Sequence, residues 1–397
     1  MKKYLKYVLI ILFLIPFRVY AEDYNFEIDS KNVVLFNIND NEIIYEKNKD
    51  EIIKVASMQK VLTSIVAIEK LDNLDDTFTI TPGMFNSLDY DLAVVGLRAY
   101  DTVTYRDLLY GTLLRSGADC AYALGIAVSG SEEEYVKLMN EKAKELGLKN
   151  TTIENTTGLD SPNQHSTVYD MGILLKYALN NKKFKEIAMT PEYTILNKYN
   201  FGGPVKKAKQ FGMDYFIAGK TGFTEEAGLC LVSYASSDGI DYILVTAGAD
   251  YSKKDQNFHD QKTIYDYFIN NYGYTTLINK GDKVTTIKTM YDQKIDIFAK
   301  KDVIQYMKKG VFKKDLEIVY SGKKVLDRSI KKGDKIGKYQ IKYKNEILYE
   351  EDVFSPKRVV FILKKKYKIA FVIIVISIII HLIIRSIKRK CKKRKRR

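Results

Sequence analysis

The stretch VASMQKVLTSIVAIEKL, residues 55–71, sets the reading of this chain. Val61, Leu62, Ile65, Val66 and Ile68 recur at helical spacing with little polar face left over, which predicts a helix buried on nearly every side. Ser57 and Lys60 stand three residues apart at its start, a spacing that stacks two side chains on one helical face. A serine hydroxyl becomes a useful nucleophile only with a base in reach, and a lysine is a base only when its pKa is depressed. Burial in such a helix supplies that depression. Ser57, near the helix N-terminus, also sits where the dipole favours a developing oxyanion. Alone, Ser-x-x-Lys is a weak pattern, and it recurs at Ser321 and Lys324 in a polar, turn-like setting. Its meaning depends on partners elsewhere.

The bulk numbers narrow the classes. A chain of 397 residues with 46% hydrophobic content has room for two or three domains and a sizeable core. Its net charge of +15 suggests a nucleic-acid binder until the charge is mapped. Residues 1–21 and 353–397 together carry +20 and no acidic residue, which leaves residues 22–352 at −5. The globular part therefore lacks a basic stripe for phosphate, and nucleic acid is not expected as a partner. Cys120, Cys230 and Cys391 form no disulfide framework, and His165, His259 and His381 are scattered, so neither a metal nor a histidine-rich zinc site is expected.

Both ends read as membrane signals. Lys2, Lys3 and Lys6 precede an apolar run at residues 7–17, and Val19-Tyr20-Ala21 has the small residues of a signal-peptidase site, so residues 1–21 are read as a signal peptide. Residues 369–385 are read as a transmembrane anchor, slightly short for an ideal span, with Lys364 to Lys366, Lys368 and Arg385 able to snorkel. The basic tail, residues 386–397, should remain cytoplasmic by the positive-inside rule, with the middle of the chain outside the cell.

Between these ends, residues 31–47 read as a hairpin around Asn39-Asp40-Asn41. Thr104 with Asp107 reads as a capping box opening a helix through Leu114. That helix breaks at Ser116-Gly117, and helices follow at residues 119–128, 132–146 and 170–179. The apolar runs 215–220, 229–235 and 242–249 suggest adjacent antiparallel strands, and residues 262–271 a closing helix. Strands at both ends with helices between predict one α+β domain over residues 22–272. From residue 273 to 353, short strand-like segments with Lys-Gly and Gly-Asp turns predict a small all-β domain.

Lys220-Thr221-Gly222 closes the first of the late strands. A cation, a hydroxyl and a residue without a side chain on an edge strand suit binding of a carboxylate beside a substrate backbone. By itself Lys-Thr-Gly also describes an ordinary exposed turn. Ser57-x-x-Lys60, Ser116-Gly117 and Lys220-Thr221-Gly222 in that order form the trio of penicillin-binding proteins and class A β-lactamases. The surrounding residues resemble the low-molecular-mass D-alanyl-D-alanine carboxypeptidases, the S11 peptidases. The carrying stretches are Ala56-Ser-Met-Gln-Lys60, residues 113–121 (LLRSGADCA), 155–160 (NTTGLD) and 219–232 (GKTGFTEEAGLCLV). The resemblance implies a β-lactamase/transpeptidase-like fold, an antiparallel sheet with helices on both sides, followed by the β domain and anchor.

The resemblance further implies Ser57 as acyl-ester nucleophile, Lys60 as general base and Ser116 as proton relay. Lys220 and Thr221 would hold the substrate carboxylate, Gly222 would let its backbone approach, and the backbone N–H of Phe223 would join the oxyanion hole. Substrates would be peptidoglycan stem peptides ending in D-Ala-D-Ala, β-lactams would acylate Ser57, and no cofactor is implied. Lys220 is expected to help hold Lys60 neutral. Two positions depart from the family. Ala118 replaces the Asn of the second motif, and an Ala methyl cannot bond Lys60 or a substrate amide; neighbouring Asp119 should point elsewhere. Where many members place an Arg after the last core strand, this chain reads Gln256-Asn-Phe-His-Asp260, with His259 as a surface residue. Cys120 and Cys230 read as apolar filler, with a disulfide as the alternative. The alternative function is a low-turnover penicillin-binding or wall-binding homologue weakened by Ala118. A serine β-lactamase is disfavoured, because the Glu-x-x-Leu-Asn element of class A enzymes has no match.

Overall fold

The computed structural model describes residues 24–89, 92–291, 293–360 and 365–394; the expected signal peptide and the last three residues of the basic tail lie outside them. The chain divides into two compact units between Asn270 and Asn271.

The first unit opens with the hairpin β1 (Asn32–Asn37) and β2 (Glu42–Lys47). A 3-10 turn, Ala56–Gln59, leads into α1 (Lys60–Lys70). Next come β3 (Thr77–Thr79), β4 (Thr102–Thr104), α2 (Tyr105–Leu114), α3 (Ala118–Ser129), α4 (Glu132–Glu145) and α5 (Val168–Leu179). After α6 (Lys182–Ala188), the hairpin β5 (Glu192–Ile195) and β6 (Tyr199–Gly202), and α7 (Pro204–Gln210), the long strands β7 (Phe216–Thr224), β8 (Gly228–Ser237) and β9 (Ile240–Ala249) run into α8 (Gln256–Asn271). The five-stranded sheet has the order β2-β1-β9-β8-β7 and is antiparallel throughout.

Helices cover both faces of this sheet, which is why β1 is buried along its whole length. On one face Phe36 lies so close to Gly172 of α5 that an added Cβ would come within 2.3 Å of its ring. On the other, Ser233 Oγ of β8 lies 2.6 Å from Gln261 Oε1 and 2.7 Å from Tyr265 Oη, both on α8. Helix α1 runs through the larger core, where Val61, Leu62 and Ile65 meet Val34, Val232 and Val245.

Local chemistry sets the helix ends. Thr104 Oγ1 accepts from the Asp107 N–H at 3.0 Å and Asp107 Oδ2 accepts from the Thr104 N–H at 2.9 Å, the reciprocal box expected for α2. Past α4, Gly147 takes φ +71°, a left-handed stop that favours glycine. Three readings are corrected. The α-helix starts at Lys60 and not at residue 55, because Ala56 sits at φ +46° and the turn after it closes as 3-10. Strand β7 continues through Lys-Thr-Gly to Thr224, paired with β8 as far as Gly228. The segment 180–214, left without elements, holds two one-to-two-turn helices and a hairpin of two four-residue strands, too short to print a period in the sequence.

The second unit is built of β10 (Tyr272–Ile278), β11 (Lys283–Thr289), β12 (Lys294–Phe298), β13 (Val303–Lys308), β14 (Leu316–Gly322), β15 (Val325–Leu326), β16 (Lys335–Tyr343) and β17 (Glu346–Phe354). They form sheets β10-β13, β12-β11-β15 and β14-β16-β17 over a core that includes Leu277, Ile287, Leu326 and Ile341. The second Ser-x-x-Lys lies here, with Ser321 and Lys324 both exposed. Helix α9 (Lys365–Arg394) contains Tyr367–Arg389, 23 residues long and apolar enough to cross a membrane.

Candidate active site

Ser57 stands on the 3-10 turn that α1 continues, and Lys60 is the first residue of that helix. The Lys60 Nζ donates to Ser57 Oγ at 2.8 Å and to the carbonyl oxygen of Thr157. Lys60 is 1% exposed. Burial pushes its ammonium down to about 7, against the opposing pull of the Asp119 carboxylate. A buried Lys hydrogen-bonded to a Ser is the arrangement a hydroxyl needs for proton loss.

Lys220 lies on β7, 1% exposed, with Nζ donating to the Thr221 carbonyl at 2.8 Å. Burial first, and the nearby Lys60 charge second, hold it well below the usual lysine range. Desolvation is the largest cause at both lysines, and the repulsion between their charges is mutual. Gly222 abuts the nucleophile turn. A Cβ there would meet the Val55 carbonyl at 3.0 Å and the Met58 nitrogen at 3.2 Å, so a side chain at this position would crowd the turn that bears Ser57.

Ser116 occupies the junction between α2 and α3 at φ +64°. Ser57, Lys60, Ser116, Thr221, Gly222 and Phe223 line one cleft of about 780 Å³, together with Arg115, Ala118, Asp160 and Asn257. Lys220 lies beneath this lining. Phe223 is 49% exposed at the rim, its ring 5.5 Å from that of Tyr251.

His259 is exposed and packs edge-on against Phe211, while its neighbours Asn257 and Phe258 face the cleft. Cys120 and Cys230 are free thiols, both buried. Asp119 does turn away from Ser57, but it is not idle. Its carboxylate accepts from the N–H groups of Val95, Gly96 and Leu97 at 2.8–3.1 Å. It thereby holds a loop whose neighbours Leu92 and Ala93 form a cleft wall.

The sequence reading gave no role to the turn Asn155-Thr-Thr-Gly158, which forms the floor under Lys60. Thr157 presents its carbonyl to Lys60, Thr156 its carbonyl to Thr63 Oγ1 at 2.9 Å, and Asn155 its carbonyl to Gln59 Nε2 at 2.6 Å. Residues 155–160 carried part of the family resemblance, but a turn-forming Asn, Thr and Gly gave no sign that a carbonyl here would meet Lys60.

Comparison with known proteins places the chain among one family of relatives. A family profile described as D-alanyl-D-alanine carboxypeptidase, Peptidase S11, matches residues 18–251, and one described as penicillin-binding protein 5, C-terminal domain, matches residues 272–360. The chain is 29% identical over 340 residues to the D-alanyl-D-alanine carboxypeptidase DacF of Bacillus subtilis, covering 83% of this chain and 85% of that one. It is 32% identical over 235 residues to the D-alanyl-D-alanine carboxypeptidase DacC of Escherichia coli, covering 56% and 57%. Two solved structures share the fold. Penicillin binding protein 5 of Haemophilus influenzae has a TM-score of 0.62 at 24% identity, covering 84% of this chain and 98% of its own. The D-alanyl-D-alanine carboxypeptidase DacD of Francisella tularensis has a TM-score of 0.65 at 21% identity, covering 85% and 95%.

Proposed function

The chain belongs to the S11 family of D-alanyl-D-alanine carboxypeptidases and is a hydrolase of that kind, and from that premise we propose that Ser57 and Lys60 carry its chemistry. Ser57 Oγ attacks the carbonyl carbon of the penultimate D-Ala while its proton passes to Lys60 Nζ. The oxyanion so formed accepts from the backbone N–H groups of Ser57 and Phe223. Collapse breaks the peptide bond, and Ser116 relays a proton to the departing D-Ala nitrogen. Water then attacks the ester, with Lys60 again taking a proton, and frees the shortened stem peptide. Thr221 meets the terminal carboxylate and Lys220 adds charge from below. Binding of that carboxylate raises the Lys220 pKa, and the charged Lys220 then disfavours protonation of Lys60. A β-lactam enters as a mimic of D-Ala-D-Ala and remains as an ester on Ser57. Helix α9 holds the protein in the cell membrane as a single pass, with the catalytic unit, residues 22–272, outside the cytoplasm.

The observation that carries this reading is the 2.8 Å contact between the buried Lys60 and Ser57 at the cleft. Ala118 is the sole feature on the side of a low-turnover penicillin binder. A lost hydrogen bond there costs about 1–3 kcal/mol, which slows catalysis without abolishing it. The test is D-Ala release from diacetyl-Lys-D-Ala-D-Ala by the full chain in detergent. Ser57→Ala should abolish release and Ala118→Asn should not reduce it. Release that persists in Ser57→Ala would overturn the assignment, and penicillin acylation with negligible release by the unaltered chain would favour the binder instead.

A further inference from the structure

We propose that Asn155 is a positioning residue of this reaction: its amide shapes the turn whose Thr157 carbonyl aims Lys60 at Ser57, the duty that Ala118 cannot perform. The inference rests on the proposed roles of Ser57 and Lys60.

A neutral lysine amine has two N–H bonds and one lone pair, and only the lone pair can take the Ser57 proton. Free rotation would leave that lone pair misdirected much of the time. The Thr157 carbonyl reduces that freedom by accepting one N–H, so that in the neutral amine the lone pair can face the hydroxyl 2.8 Å away, to which the ammonium donates. A backbone carbonyl can aim a partner only if its own peptide is fixed. Here Asn155 Oδ1 accepts from the Thr157 N–H at 3.1 Å, the Thr157 hydroxyl at 3.1 Å and the Gly158 N–H at 2.8 Å. Its Nδ2 donates to the Leu159 carbonyl at 2.9 Å. One side-chain amide therefore fixes the peptides on both sides of the Thr157 carbonyl.

The turn is also pinned to the nucleophile segment. Gly158, at φ +84°, passes so near the Ala56 carbonyl that a Cβ would sit 2.3 Å from it. Gln59 and Thr63 reach from the other side to the carbonyls of Asn155 and Thr156. Ala118 lines the same cleft as Lys60 with nothing but a methyl group to offer. Thr157 and Ser57 are consequently the two partners recorded for the Lys60 amine.

The test measures the second-order rate of acylation of the full chain in detergent by benzylpenicillin, from pH 5 to 9. Asn155→Ala, Asn155→Asp, Ala118→Asn and the Asn155→Ala/Ala118→Asn pair are compared with the unaltered chain. Asn155→Ala should be about 10- to 100-fold slower, as expected when a catalytic group drifts by an ångström. Asn155→Asp keeps the triple acceptor, so its maximal rate should stay within about threefold, while its acidic limb moves to higher pH because a carboxylate near Lys60 favours the ammonium. In the Ala118→Asn background the Asn155→Ala penalty should shrink severalfold, since the new amide can restrain Lys60.

Asn155→Ala acylating at the unaltered rate with an unmoved limb overturns the proposal. So does Asn155→Asp as slow as Asn155→Ala, or a penalty that Ala118→Asn leaves whole, for either marks a mere brace of the fold. Should Asn155→Ala fail to fold, Asn155→Asp decides alone: a maximal rate lowered about tenfold or more, or an acidic limb that does not move to higher pH, overturns the proposal. Ser57→Ala run in parallel separates the premise from the inference: acylation of that variant would refute the nucleophile, whatever Asn155 does.

Discussion

At the scale of the residue, the site turns on one lysine kept dry. Burial sets the Lys60 pKa at about 7, so the neutral, proton-accepting form gains ground as pH rises through that value. The acidic limb of kcat/KM for D-Ala release should therefore fall near pH 7, with activity lost below it; a limb near 5 or near 10 would contradict the depressed amine. Lys60→Arg stays protonated at every accessible pH, so it should acylate at least about 1000-fold more slowly, and its permanent charge in a buried position should also lower the melting temperature. The same shift has a thermodynamic side. Between pH 7 and the ordinary lysine value the unfolded chain binds a proton that the native chain does not, so this residue makes stability increase with pH across that window.

At the scale of the element, two turns meet and one strand closes on them. The 3-10 turn at Ala56–Gln59 bears Ser57, the Asn155–Gly158 turn bears the carbonyl for Lys60, and β7 approaches through Gly222. Gly158 and Gly130 offer a controlled comparison. Both take positive φ, +84° and +81°, so alanine is strained at each, by about 1–2 kcal/mol. Around Gly130 there is open space, whereas at Gly158 the new methyl would strike the Ala56 carbonyl. Gly130→Ala should lower the melting temperature slightly and leave penicillin acylation unchanged. Gly158→Ala should lower the melting temperature further and slow acylation at least tenfold; equal acylation by the two would show that the contact between the turns does not matter to the site.

At the scale of the whole molecule, each unit has its own core and α9 has none. Many of its apolar side chains, Phe371, Ile373, Ile376 and Leu382 among them, are more than half exposed. Such a surface of 23 residues is long enough to span a hydrocarbon core. In cells the full chain should sediment with membranes, resist a high-salt wash and come free only with detergent. Removing residues 365–397 should move it to the soluble fraction; release of the full chain by salt alone would reduce α9 to an electrostatic surface contact.

The sequence alone determined what local chemistry writes into a few adjacent residues. The hairpin at 31–47, the Thr104–Asp107 box, the helix after Ser116-Gly117, the three late strands and the apolar C-terminal run were each legible because period, cap or turn residues are short-range signals. The order of the three motifs was legible too, and with it the family. What only the tertiary structure decided is which atoms face Lys60. That Thr157, some hundred positions away, offers its carbonyl, that Asp119 braces the 95–97 loop, and that burial depresses the amine are products of packing between segments remote in the chain. Backbone carbonyls carry no residue-specific signature, and burial is a property of neighbours, so neither can be read from a string of side chains.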